Sequence, residues 1–310
     1  MSGPVTDADV PAEAQRGAPE ACVLEITQSR ESRVGAIKVR RALPRRGRRT
    51  VGPWCFVDHM GPALVSAPRG MDVAPHPHIG LQTVTWLLEG EALHRDSLGN
   101  EQVIVPGQLN LMTAGWGVAH SEEGTGSYSG NLHGVQLWIA QPSATRDGPA
   151  AFEHHSELPR RDLDAAVATV LVGDLDGATS PARRDTDHLG ADLALRAGAT
   201  TVPLRADFEH ALVTLVGAAS LDGQIVEPGH LAYLGTGRTE IALAAREPAR
   251  ILLLGGVPFD EAVLMWWNFV ARTRAEIVEA HRAWMAADDR FGRVDSPLPR
   301  IEVGPPPWSL

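Results

Sequence analysis

Up to about residue 260 the apolar residues fall in short runs that alternate with polar ones, rather than in the 3.6-residue period of helices. CVLEITQS, GAIKVRRAL, LQTVTWLLEG, EQVIVPG and GVQLWIA are examples, each bounded by Gly, Pro, Asn or Asp. Evenly spaced short strands with turn signals between them predict an all-β sandwich or barrel.

The pattern also repeats. Residues 106–115 read PGQLNLMTAG and residues 228–237 read PGHLAYLGTG, each preceded by a strand–turn–strand segment. A repeat this long is a whole domain rather than a solenoid unit. The chain therefore predicts two jelly-roll β-barrels in tandem, over 21–145 and 146–310, with loop-like sequence across 145–190. Residues 1–20 read as a polar, disordered tail. After residue 260 the period changes: Thr273-Arg274-Ala275-Glu276 is a capping box. Ile277, His281, Trp284 and Met285 then share a helical face, so a helix over about 273–288 is expected to close the second domain.

Composition narrows the class. The length, 310 residues, suits two domains, each large enough to bury a core. Two cysteines, Cys22 and Cys55, form neither a CxxC pair nor a disulfide framework, which suits a reducing compartment. No apolar run reaches membrane-spanning length and the N-terminus lacks signal-peptide order, so the expectation is a cytoplasmic protein without membrane contact. A net charge of −10 disfavours direct nucleic-acid binding. Six arginines between Arg40 and Arg49 argue the other way, but Pro44 and Gly47 among them favour a solvated loop.

The chemistry concentrates in Pro75-His76-Pro77-His78-Ile79-Gly80 and in Ala119-His120-Ser121-Glu122-Glu123. Residues i and i+2 of a strand share a face, so His76 and His78 present two imidazoles together, and His120 and Glu122 add an imidazole and a carboxylate. Three nitrogens and one oxygen suit iron, zinc, manganese, nickel or copper. Glu123 has the wrong parity to join them. Pro77 donates no ladder hydrogen bond and so belongs on an edge strand. Aligning the repeats puts Pro203, Arg205 and Ala242 at the positions of His76, His78 and His120, so the second copy keeps the barrel pattern without ligands. His59, Gln82, Trp86 and Trp116 are candidate pocket residues, Trp86 because it shares the parity of His78. Trp138 is a further flat apolar surface. His94 and His133 are read as structural.

These residues resemble the pirin family of the cupin superfamily. The resemblance runs from VGPWCFVDHMGP through PHPHIGLQTVTWLLEGEALHRDSLG and PGQLNLMTAGWGVAHSEE to LHGVQLWIA, and resumes at MWWNFVARTRAEI. It implies a bicupin with one metal, usually iron, in the N-terminal barrel on His76, His78, His120 and Glu122. It also implies oxygenolytic ring opening of quercetin in some members and metal-dependent regulation through partner proteins in others. The family commonly has Ala-Gly-Arg-Gly where this chain has Ala114-Gly115-Trp116-Gly117, so a positive charge is lost at Trp116, with a possible effect on substrate preference. Many cupins place a ligating glutamate where Gln82 stands.

Two functions follow as expectations. The first is an Fe(II) dioxygenase acting on a small aromatic flavonol and O2, with Glu122 as the catalytic base. The alternative is a metal- or redox-sensing regulator that binds a protein partner without catalysis. Nucleophile elbows, phosphate loops and dinucleotide fingerprints are lacking, which leaves other metal chemistry as a third class.

Overall fold

The computed structural model describes residues 23–35 and 37–308; the expected tail at 1–20 lies outside them. Twelve strands precede residue 156: β1 (Glu25–Gln28), β2 (Arg30–Val34), β3 (Ile37–Leu43), β4 (Trp54–Val65), β5 (Val73–His78), β6 (Leu81–Glu89), β7 (Ala92–Asp96), β8 (Glu101–Ile104), β9 (Leu109–Thr113), β10 (Val118–Glu123), β11 (Gly130–Ala140) and β12 (Ala151–His155). Seven of them form one sheet in the order β12-β9-β6-β11-β4-β3-β2, facing a four-stranded sheet ordered β5-β10-β7-β8. The second half repeats this plan, with another seven-stranded and another four-stranded sheet. The fold is therefore all-β, two tandem jelly-roll barrels with one helix among the described residues, as the sequence predicts.

The barrels interlock. β1 leaves the first barrel and pairs antiparallel with His230–Gly235 of the second, Glu25 opposite Tyr233 and Gln28 opposite His230. β12, beyond the boundary expected at 145, adds to the first barrel through β9, Phe152 opposite Met112. Each large sheet thus gains an edge strand from outside the expected span of its domain. The outward faces of the two large sheets share one apolar core, including Val57, Trp86 and Leu137 from one side and Val213, Tyr233 and Leu252 from the other.

The interiors differ in chemistry. The second barrel is filled by Leu, Val, Ile, Ala and one Phe, including Val170, Leu193, Leu212, Ile241 and Leu253. The first encloses buried polar groups: the Arg41 guanidinium donates to both Asp58 carboxylate oxygens at 2.7 Å. Arg41 is thus no part of a solvated basic loop. Arg48 also has a structural partner, lying over the Tyr233 ring at 3.2 Å and pairing with Glu25.

The helix α1 (Arg274–Met285) starts where the capping box places it, with the Glu276 amide donating to Thr273 Oγ1. It ends three residues short of the expected 288. Its buried face is Ile277, Ala280 and Trp284, while Met285 is 37 % exposed. It does not close the second barrel. Its apolar face joins Trp266, Trp267, Phe269 and Phe291 against Ile79 and Ala119, on the outer side of β5 and β10. The C-terminal segment is therefore a strap that returns to the first barrel. The reason is complementarity: Ile79 and Ala119 present a small, apolar surface beside β5 and β10 that needs a cover.

Candidate metal centre

β5 is the edge strand of its sheet, which accommodates Pro77 opposite Ala119. His76 stands directly opposite His120, and a register shift between His120 and Glu122 gives β5 an extra residue between Val73 and His76. On its other side β10 runs in regular register with β7, His120 opposite Asp96 and Glu122 opposite His94. His76, His78 and His120 each offer a ligand atom, all within 4.8 Å of one another, and all three residues are buried.

The outer nitrogens decide how the rings point. His76 Nδ1 lies 2.9 Å from Ala74 O and His78 Nδ1 lies 2.9 Å from Asn268 O. A carbonyl only accepts, so both Nδ1 atoms carry the proton and both Nε2 atoms keep a lone pair. The Nε2 atoms of His78 and His120 are 3.1 Å apart. Nitrogens around one ion at about 2.0–2.1 Å stand at this order of separation. Burial lowers all three: His78 to about 3, and His76 and His120 well below the ordinary imidazole value with help from their neighbours' charge. They are neutral near pH 7, as ligands must be. Three buried, neutral imidazoles converge here, and two of them keep a lone pair on Nε2, so the donor set fits a transition metal.

Glu122 lies outside the cluster of three. Its carboxylate Oε1 is 3.3 Å from the Thr85 hydroxyl, which also lies 2.9 Å from Gln136 Oε1. Burial raises its pKa, opposed by His94 and the Thr85 hydrogen bond. Around these groups stand aromatic rings. Trp138 meets His78 edge-on at 5.2 Å and stacks on Phe56 at 4.0 Å. Phe152 stacks on His94 at 4.4 Å, and His94 Nδ1 is 3.4 Å from His120 Nδ1.

The four candidate pocket residues lie elsewhere. Trp86 faces the second barrel, where its Nε1–H donates to Asp192 at 2.8 Å. Gln82 shares that outward face, its Nε2 donating to Thr113 Oγ1 at 3.0 Å. The parity carried from His78 fails because Gly80 breaks the strand: its φ is +66° and a Cβ there would sit 2.3 Å from Val270 O. His59 also faces outward, with its Nε2 2.7 Å from His133 Nε2. Trp116 is 46 % exposed on the turn between β9 and β10, under the Arg290 guanidinium at 3.7 Å. Conversely, His94, Asp96, Thr85, Gln136 and Phe152 reach the interior unanticipated. His94-Arg95-Asp96 carried a signal, since its i, i+2 spacing repeats that of the ligand strands.

Two duplicated barrels, one with three convergent imidazoles and one filled with aliphatic side chains, define a bicupin with, among the described residues, a single candidate metal centre. The second copy's Ala242 pairs with Thr201 on strands equivalent to β10 and β5, and Arg205 sits at the surface between Asp187 and Asp207. Residues 36–139 match the pirin family and residues 190–292 match the pirin C-terminal cupin domain. The chain belongs to the pirin family. It is 49 % identical over 279 residues to a Pseudomonas aeruginosa protein named "Putative quercetin 2,3-dioxygenase", covering 89 % of this chain and 88 % of that one. A pirin-like protein of Caulobacter vibrioides is 35 % identical, covering 88 % of this chain and 98 % of its own. The crystal structure of quercetin 2,3-dioxygenase from Acinetobacter baumannii superposes with a TM-score of 0.89 at 41 % identity, covering 93 % of this chain and 97 % of that one.

Proposed function

We propose that this protein is an iron(II)-dependent dioxygenase that opens the ring of a flavonol such as quercetin. The observation that carries the reading is the convergence of the His76, His78 and His120 imidazoles inside a barrel lined by Trp138, Phe56 and Phe152. The names of the similar Pseudomonas and Acinetobacter proteins support the substrate class. His76, His78 and His120 would hold the metal, with Glu122 as the carboxylate completing the set. When bound, the ion supplies Lewis acidity and the redox chemistry by which a phenolate reacts with O2. Zinc, manganese, nickel or copper would be held by the same donors.

The chain's own groups have separate tasks. Glu122 accepts the proton of the substrate hydroxyl at a carboxylate oxygen. Its raised pKa brings it closer to that of a phenol than an exposed carboxylate would be. Thr85 holds that carboxylate in place. The rings of Trp138 and Phe152 offer flat apolar faces to a planar substrate and keep water away. Oxygen uptake by the Fe(II)-loaded protein with quercetin, alongside His76→Ala and His120→Ala, tests this. Uptake with loss of flavonol absorbance in the parent alone is expected. Metal fully bound with no uptake would move the protein to the regulatory reading.

A further inference from the structure

We infer that His94 and Asp96 are positioning residues: His94 accepts the Nδ1–H of His120 and donates its own Nε2–H to Asp96, fixing the tautomer and ring plane in which His120 offers Nε2 to a metal. The inference rests on the metal reading above and extends it to residues outside the ligand set.

The three imidazoles are not held alike. His76 and His78 have backbone carbonyls at Nδ1, which settle their tautomers. His120 meets a ring nitrogen there, His94 Nδ1 at 3.4 Å, and a ring nitrogen can donate or accept. The far end of the chain decides. His94 Nε2 is 3.2 Å from Asp96 Oδ2. Asp96 already collects the Leu98 and Asn100 amides on Oδ1, at 2.9 and 3.0 Å, and the Asn100 side-chain amide on both oxygens. A group surrounded by donors is an ionised acceptor. His94 Nε2 therefore carries the proton, His94 Nδ1 the lone pair, and His120 Nδ1 the proton in turn. That leaves His120 Nε2 free for a metal. Both nitrogens of His94 are engaged, so it is no fourth ligand. The Phe152 ring, 13° from parallel, sets the plane of His94. Such outer partners raise ligand basicity and restrict ring rotation.

Cobalt(II) is the probe, read as affinity by chelator competition and as the visible absorption spectrum, neither of which requires turnover. His94→Leu removes the acceptor and is expected to weaken binding about 10- to 100-fold and shift the absorption bands. His94→Gln restores an oxygen acceptor and is expected to recover most of the affinity. Asp96→Asn, which keeps the ring in place, is expected to weaken binding and move the spectrum in the same direction, and it decides the matter if His94→Leu does not fold. Parent affinity and an unchanged spectrum in the folded variants, while His120→Ala loses cobalt, would overturn the relay. Retention of stoichiometric cobalt by His120→Ala would overturn the metal reading and the relay with it.

Discussion

The Nδ1–H of His78 donates to the backbone carbonyl of Asn268, which lies 190 residues further along the chain. A candidate metal ligand in the first barrel is thus oriented by a segment that follows the second. The turn presenting that carbonyl includes Trp267, whose φ of +54° lies in the left-handed region that a bulky residue seldom adopts. Packing holds it there: Trp267 is buried among Phe269 and Trp284, and the Val270 amide donates to Ile79 O.

Trp284→Ala therefore reaches further than a hole beneath a helix. The side chain is nearly fully buried, stacks edge-on with Phe291, and donates from Nε1 to Ile301 O at 2.7 Å. Its loss is expected to cost about 3–5 kcal/mol. Metal affinity is expected to fall as well, because the Asn268 carbonyl is no longer fixed against His78. Denaturant midpoints and cobalt titration measure the two effects. A destabilised protein with unchanged affinity would show that the strap covers the site without orienting it.

Trp86→Phe makes the opposite separation. The indole bonds Asp192, which also receives the Arg250 guanidinium, in the interface between the barrels. The lost hydrogen bond to a carboxylate and the space left by the smaller ring are together expected to cost about 2–4 kcal/mol, all of it in stability. Metal binding and oxygen uptake are expected to match the parent. A changed KM for flavonol would return Trp86 to the substrate pocket.

The contrast between these tryptophans shows what one dimension carries. Within a continuous strand, parity is reliable: His76 with His78, and His120 with Glu122, each face one side, and the capping box at Thr273 begins a helix. Parity does not cross Gly80, where β5 ends and the chain passes to the opposite sheet as β6, so Trp86 and Gln82 point away from the ligands. Nor does periodicity say which surface an apolar face will cover. The helix has the same pattern whether it packs on the second barrel or returns to Ile79 and Ala119. The pairing of β1 with the second barrel is likewise a long-range choice between exposed sheet edges.

Burial of neutral histidines fixes the acid response of the metal-free protein. Burial brings His78 and His59 down to about 3 and His188 and His210 to about 4, and lowers His76 and His120 in the same direction. In the unfolded chain each titrates near pH 6.5. Between that value and the folded one the unfolded state binds more protons, so stability falls as the pH falls. The loss is expected to begin near pH 6.5, approach about 1.4 kcal/mol per pH unit for each participating histidine, and level off below the folded values. Glu122 and Asp58 have the opposite sign: burial raises both, which favours folding at acid pH, and that contribution is lost as pH rises through the folded values. Two carboxyls cannot offset six imidazoles. Urea unfolding at pH 7.5, 6 and 5 checks the slope, and equal stability across the three would contradict neutral burial.

Trp116 marks where this chain departs from the commoner family sequence, and its surroundings weaken the expectation that it selects substrate. The indole lies on the outer turn between β9 and β10 under the Arg290 guanidinium, and Arg290 Nε donates to the Trp116 carbonyl at 2.9 Å. A cation therefore remains beside the turn, supplied from the C-terminal strap. The cavity at this turn, about 220 Å³, is lined by Ile79, Arg146, Glu276 and Arg290 and by none of the three clustered histidines. Trp116→Arg would remove a cation–π contact of about 0.5–1 kcal/mol and set two guanidinium groups against each other. The expected outcome is a small loss of stability with kcat/KM for flavonol unchanged. A large change in kcat/KM at unchanged metal affinity would instead place this turn on the substrate's route to the imidazoles.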